Sequence, residues 1–322
     1  MQIKGKKVLV TGASGFIGSA LMRRLLLEKA KIYALDIPQA NKWRIKDILP
    51  KVQMRFADLQ NRNALDKLIS GIRPEIIFHL AAYGVYPSQK ERNAIFNINF
   101  FGTKNLLDAC GSLDYKLFVN TGSIFEYGIK KTPLKESDVL SPVTDYGISK
   151  AAATLYCQAV ALRDGKPVTT LRLSTPYGYY EELPRLIPSV VLSYLVGKRP
   201  HVTSPKFVRD FLFIEDAIEA YIKTVEYSEA AKGEIFNIGY SRQYAIGKVV
   251  ETIAALTGSN IKPKWGNKPH YRIESDMWQT NISKAKRLLK WQPNYSLKDG
   301  LKKTVNWFRE NKNLYKNNCY VI

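Results

Sequence analysis

The chain has 322 residues, is 45% hydrophobic and carries a formal net charge of +21, which allows one large core or a core with a smaller lobe. No apolar run reaches the 18 residues of a membrane span, and the first strand-like segment begins too early to leave room for a signal peptide. Three cysteines (Cys110, Cys157, Cys319) without C-x-x-C spacing argue against a disulfide framework or a structural zinc, and suit a reducing, cytoplasmic compartment. The positive charge is scattered, densest over 298–316, with no block of five or six like charges and no RNA-binding aromatic signature. It reads as a solvated surface that steers anionic substrates, with no nucleic-acid partner expected.

A strand at 6–11 runs straight into Thr11-Gly12-Ala13-Ser14-Gly15-Phe16-Ile17-Gly18, and an apolar helix follows over 17–29. Three glycines alone can be an ordinary turn. Placed directly between a strand and a helix, they predict a dinucleotide site. Gly12 permits the tight turn, Gly15 lets backbone approach a pyrophosphate, and Gly18 lets helix and strand pack closely. The helix N-terminus then faces the anion.

The second strand, 31–36, ends in Asp36, 18 residues after Gly18. A carboxylate near this offset takes the ribose hydroxyls and repels a 2′-phosphate, so NAD is favoured over NADP; Lys42 and Arg44 nearby soften that preference. Further strands at 52–56, 75–80, 116–121 and 168–173 alternate with helices at 61–70, 91–110 and 146–163. Alternation with nearly all-apolar strands predicts an α/β fold with a doubly wound, Rossmann-type parallel sheet over 1–173. Beyond 174 proline and tyrosine become frequent, and helices at 185–197, 215–227, 246–256, 283–290 and 298–310 are joined by long loops. Segments 174–207 and 240–322 are expected to form a smaller substrate-binding lobe, while 208–239 is expected to return to the first domain.

Tyr146 and Lys150 form Y-x-x-x-K on the helix after the fifth strand, so phenol and ammonium share a face. A free tyrosine has a pKa of about 10. A neighbouring cation favours the phenolate, which can take a hydroxyl proton as hydride leaves carbon. Ser123, 23 residues before Tyr146, sits at a strand's carboxyl end, where it can hold a substrate oxygen or simply cap a helix. His79, His201 and His270 show no spacing for a metal pair, so no metal is expected; His79 reads as a buried strand-end residue.

These motifs, together with Asp58-Leu59, His79-Leu80-Ala81-Ala82, Asn99 through Gly102-Thr103, Tyr127-Gly128, Leu171-Arg172-Leu173, Tyr177-Gly178, Arg209-Asp210-Phe211 and Leu289-Lys290-Trp291-Gln292-Pro293, cover nearly the whole chain. The chain resembles the extended short-chain dehydrogenase/reductases, in the nucleotide-sugar epimerase, dehydratase and reductase group. The resemblance implies that Phe16, Ile17, Asp58, Leu59, Leu80, Ala81, Ala82 and Asn99 contact the cofactor. It implies that Lys150 also holds the nicotinamide ribose. It further implies that Tyr83, Ser123, Thr175 and Arg185 contact the sugar nucleotide, that Arg209 and Arg272 bind its diphosphate, and that helices 91–110 and 146–163 form a homodimer interface.

Two departures bear on the reaction. Dehydratases of the group carry an Asp-Glu pair where this chain has Ile124 and Phe125, with Glu126 one step later and pointing the other way, so dehydration is not expected. Thr175 replaces an asparagine of galactose-type 4-epimerases. The expectation is an NAD-dependent epimerase of a nucleotide-diphosphate sugar, acting by transient oxidation at C4. The alternatives are a 4-keto reductase of a 6-deoxyhexose nucleotide and, in another class, a non-catalytic NAD-sensing scaffold.

Overall fold

The computed structural model describes residues 1–86, 88–266 and 274–316, without the Lys316 side chain. Seven parallel strands form the main sheet: β1 (Lys7–Thr11), β2 (Lys31–Asp36), β3 (Gln53–Phe56), β4 (Ile76–His79), β5 (Leu117–Ser123), β6 (Val168–Leu173) and, last in the chain, β9 (Ile235–Ile238). Their order is β3-β2-β1-β4-β5-β6-β9. The chain winds outward from β1 through β2 to β3, then restarts at β4 on the other side. The crevice between β1 and β4 is therefore the switch point where doubly wound sheets bind ligands.

The strands are apolar because both faces are covered. Val8, Val10, Phe78, Val119 and Leu171 pack on one side with Leu21, Met22 and Leu25 of α1 (Phe16–Leu27). Leu9, Ile77 and Phe118 face the other side, against Leu65 and Ile69 of α2 (Arg62–Ile72) and Leu106 of a later helix. The helix expected at 91–110 is interrupted: α3 (Arg92–Phe96) and α4 (Gly102–Cys110) are joined by a π turn over Asn97–Phe101. Such widened turns mark places where a side chain is drawn out of the helical ladder. Here Asn99 reaches the Tyr83 backbone. The catalytic-motif helix is α5 (Asp145–Asp164), N-capped by Thr144, whose Oγ1 accepts from Gly147 N at 3.0 Å.

The remainder contains β7 (Thr175–Tyr177), α6 (Leu186–Leu195), β8 (Val208–Phe213), α7 (Ile214–Glu226), α8 (Ser228–Ala231), β10 (Gln243–Ala245), α9 (Ile246–Thr257), α10 (Ser283–Leu288), α11 (Leu297–Asn311) and α12 (Asn313–Lys316). The segment 208–239, expected to rejoin the first domain, divides. β9 joins the main sheet beside β6, and α7 packs on α1, where Arg24 pairs with Glu219. β8 does not: it lies between β10 and β7 in a separate three-stranded sheet. Its register places Thr175 opposite Phe211, so the small sheet begins where β6 ends. No helix among the described residues is long and apolar enough to cross a membrane.

Candidate active site

A cavity of about 590 Å³ opens at the carboxyl ends of β1, β4, β5 and β6. Its first wall is the glycine loop. Gly12 has φ +64, and a Cβ there would lie 2.7 Å from the Ala81 backbone N. Only glycine reconciles the left-handed turn with that approach. Gly15 is the N-cap of α1, with no side-chain cap and no acidic residue in the first turn. Gly15, Phe16, Ile17 and Gly18 line the cavity, so the uncapped N–H groups and positive dipole end of α1 face it, as an anion requires. Asp36 closes β2 beside this loop: its Oδ2 accepts from Ser14 N at 2.9 Å and its Oδ1 from Ile37 N at 3.0 Å. A bare helix end, a cradle that a Cβ would fill and an adjacent carboxylate together fit a dinucleotide.

The second wall carries the chemistry. Ser123 ends β5 in register with Leu173 of β6. Its Oγ caps the short 3₁₀ turn Ile124–Tyr127, accepting from Phe125 N at 3.3 Å. It also lines the cavity. Tyr146 lies in the first turn of α5, edge-on to Phe125 with ring centroids 6.2 Å apart. Lys150, one turn on, is 2% exposed. Burial pulls its pKa down, while the charge of Glu126 pushes back. Ser123, Tyr146 and Lys150 all line the same cavity.

A buried relay ties the two walls. Leu80 N and Ala81 N donate to Thr11 Oγ1 at 3.2 and 3.3 Å, and Thr11 Oγ1 meets His79 Nδ1 at 2.7 Å. His79 Nε2 meets Thr103 Oγ1 at 2.8 Å, and that hydroxyl donates to Asn99 O at 2.6 Å. The tautomer follows: Nε2 carries the proton and Nδ1 accepts. Burial, then the Lys150 charge, push the His79 pKa down to about 3, so the ring stays neutral. Asn99 Nδ2 donates to Tyr83 O at 2.8 Å and to Ser149 Oγ at 3.0 Å, and Ser149 Oγ donates to Tyr146 O at 2.9 Å. The glycine loop and the Tyr146 helix are thus set relative to one another by satisfied polar contacts.

Behind Ser123, Glu126 turns into the core. Its Oε1 accepts from Ser123 N at 2.7 Å and Thr154 Oγ1 at 3.1 Å, and its Oε2 from Arg172 Nε at 2.7 Å. Arg172 Nη1 donates to Tyr127 Oη at 2.9 Å, and Tyr127 Oη to Asn237 Oδ1 at 2.7 Å. Burial raises the Glu126 pKa against the Arg172 charge.

The other expected residues divide. Leu80, Ala82, Thr175 and Arg185 line the cavity. Ala81 contributes backbone opposite Gly12. Leu59 is buried, and Asp58 is exposed with Oδ1 accepting from Gln60 N at 2.9 Å; both lie away from the cavity's lining. Asn99 and Tyr83 act as supports rather than lining. Arg209, expected at the diphosphate, pairs through both Nη atoms with Glu274, and its guanidinium lies 5.6 Å over the Trp278 ring. Arg272, His270 and Cys319 lie outside the described residues. Cys110 and Cys157 are buried thiols pushed up to about 12 by burial. Sequence reasoning missed Gln89, whose Oε1 accepts from the N–H groups of Gly84, Val85 and Tyr86 at 3.0–3.2 Å, and Glu181, which no spacing singles out.

Fold and site together define an extended short-chain dehydrogenase/reductase. Residues 8–239 match the model of the NAD dependent epimerase/dehydratase family, and the chain belongs to that family. It is 32% identical, over 92% of its length and 95% of the relative's, to a Bacillus subtilis protein described as an uncharacterized UDP-glucose epimerase. It is 29% identical, over 97% and 96%, to a dTDP-glucose 4,6-dehydratase of Neisseria meningitidis serogroup B. Among solved structures, the UDP-glucuronic acid 4-epimerase of Bacillus cereus, in complex with UDP-glucuronic acid and NAD, superimposes with a TM-score of 0.85 at 27% identity, over 96% of this chain and 100% of that one. NAD is the cofactor named by the family, and the glycine loop, Asp36 and Lys150 are the residues here that fit it. With dehydratases among the relatives, similarity alone does not choose the reaction.

Proposed function

We propose that this protein is an NAD-dependent epimerase of a nucleotide-diphosphate sugar, acting by transient oxidation at C4. The carrying observation is that Ser123, Tyr146 and Lys150 line one cavity with the uncapped start of α1. NAD, when bound, supplies a reversible hydride acceptor. Ser123 Oγ would position the sugar's C4 hydroxyl. Tyr146 Oη, with Lys150 one turn on in the same cavity, would take the hydroxyl proton and return it after the sugar turns its other face. The cavity falls within the size range of small-molecule sites, and the small lobe would hold the nucleotide end.

Ile124 and Phe125 support a reaction without elimination. Ile124 is fully buried among Tyr127, Leu134 and Trp278, Phe125 presents an apolar ring to the cavity, and neither can move a proton. The purified protein incubated with UDP- and dTDP-hexoses should yield the 4-epimer with no reduced cofactor added. Product that forms only from a 4-keto-6-deoxyhexose nucleotide, with stoichiometric consumption of NADH or NADPH, would replace this reading by a 4-keto reductase.

A homodimer is part of the same proposal. Ile148, Leu155 and Leu162 stand seven residues apart on α5 and are 41, 56 and 80% exposed, beside Phe101 at 49%. Seven residues return a helix nearly to the same face, so these side chains form one apolar stripe. Sedimentation should give a dimer, and Leu155→Lys should give a monomer; a monomeric parent protein overturns this.

A further inference from the structure

We propose that Glu181 is the sugar-selecting residue of the cavity, accepting a ring hydroxyl of an uncharged hexose and disfavouring a uronate; this rests on the nucleotide-sugar reading above. Glu181 lies in the segment between β7 and α6, is 4% exposed and lines the cavity. Its Oε1 accepts from Arg185 Nε at 3.3 Å. Its Oε2 is buried with no hydrogen-bond partner among the described residues. Buried carboxylate oxygens are almost always satisfied, so one that is not, on the wall of a ligand cavity, marks a contact reserved for something else. Ser174 Oγ, on the same wall, is likewise buried and unpartnered.

The backbone around Glu181 is held in place. Tyr180 adopts φ +61, a conformation that costs a bulky residue free energy and persists only where surroundings impose it. Arg44 Nε donates to Tyr180 O at 2.8 Å and Arg44 Nη2 to Glu182 Oε2 at 2.9 Å. Arg23 Nη2 donates to Tyr180 Oη at 3.1 Å, and Tyr315 Oη to Glu181 O at 2.8 Å. Clamps from the first domain and from the last helix converge on three residues. The orphan oxygen is therefore fixed before any ligand arrives, as a specificity contact requires.

The chemistry then names the ligand. A carboxylate only accepts, so its complement is a donor, and on a hexose that is a hydroxyl. A sugar carboxylate at the same place would meet like charge. Burial raises the Glu181 pKa to about 7 against the Arg185 charge, so the preference sharpens as pH rises past neutrality.

The test measures affinities at pH 8, with NAD present, for UDP, UDP-glucose, UDP-glucuronic acid, dTDP and dTDP-glucose, on the parent protein and on Glu181→Met and Glu181→Gln. The parent should bind UDP-glucose more tightly than UDP-glucuronic acid. Glu181→Met should weaken the hexose nucleotide about ten-fold or more, leave the matching free diphosphate within about two-fold, and narrow the glucose-to-glucuronate ratio. Glu181→Gln, which keeps an acceptor without charge, should narrow that ratio with a smaller loss of hexose affinity. Equal losses for the sugar nucleotide and the free diphosphate, or no loss in either, overturn the assignment of Glu181. A parent protein that binds none of the five overturns the nucleotide-sugar reading itself, and this inference with it.

Discussion

Two glutamate–arginine pairs flank the site, one fully buried and one whose arginine is partly exposed. Glu126 and Arg172 are 0 and 1% exposed at the side chain. Around that pair the Glu126 oxygens take Ser123 N, Thr154 Oγ1 and Arg172 Nε, and Tyr127 and Asn237 extend the network. Glu181 and Arg185 share a single 3.3 Å contact, and Glu181 leaves one oxygen unpartnered against the cavity. The first pair locks the end of β5 from behind, so that Ser123 is presented at a fixed height. The second presents itself. Saturation, not residue type, separates a pair that builds the site from one positioned to read a ligand.

The comparison breaks first if the chemistry does not reside on the edge between the pairs. Tyr146→Phe should lower turnover by about 10² to 10⁴-fold with NAD binding unchanged, followed by assay of epimer formation beside fluorescence titration of the cofactor. Retained turnover removes the phenol as base. Arg172→Met strands the Glu126 carboxylate in the core and should cost about 3–5 kcal/mol in urea unfolding. A cost below about 1 kcal/mol would mean that the saturated pair is not structural.

Glu181→Gln should act on stability in the opposite sense, and through pH. The folded-state pKa of Glu181 is raised from 4.5 to about 7, so between those values the native state binds more protons than the unfolded state. Its contribution to stability therefore falls as pH rises from about 4.5 to 7, and is fully restored below that window. The glutamine variant lacks this slope. Its stability relative to the parent should increase across pH 5 to 8 in parallel chemical denaturation series, and a constant difference would sink the argument. The smallest effect should come from Asp36→Ala, which removes a carboxylate from the glycine loop and should narrow the NAD-to-NADP affinity ratio. An unchanged ratio would leave Asp36 only its hydrogen bonds to Ser14 and Ile37.

Much of this was legible in the chain. The glycine loop and Tyr146–Lys150 depend on local geometry alone, a turn or one helical step, and local geometry is written in spacing. Arg209 shows the limit. Its guanidinium pairs with Glu274, 65 positions away, and no pattern in the sequence brings those two together. The π turn at Asn97–Phe101 was hidden for the same reason: its signal is the bond from Asn99 to the Tyr83 backbone, made across a loop.

By itself the sequence determined the doubly wound sheet, the glycine loop and the pairing of Tyr146 with Lys150 on one helix face, because alternating apolar strands, a positive-φ Gly12 and four-residue helical spacing act within a few residues of chain. Only the tertiary structure decided which charges are spent on one another and which remain for a ligand. That choice depends on burial and on partners drawn from distant segments, as at Glu181, where loop 180–182 is gripped by Arg44 and Tyr315 and one oxygen is left facing the cavity.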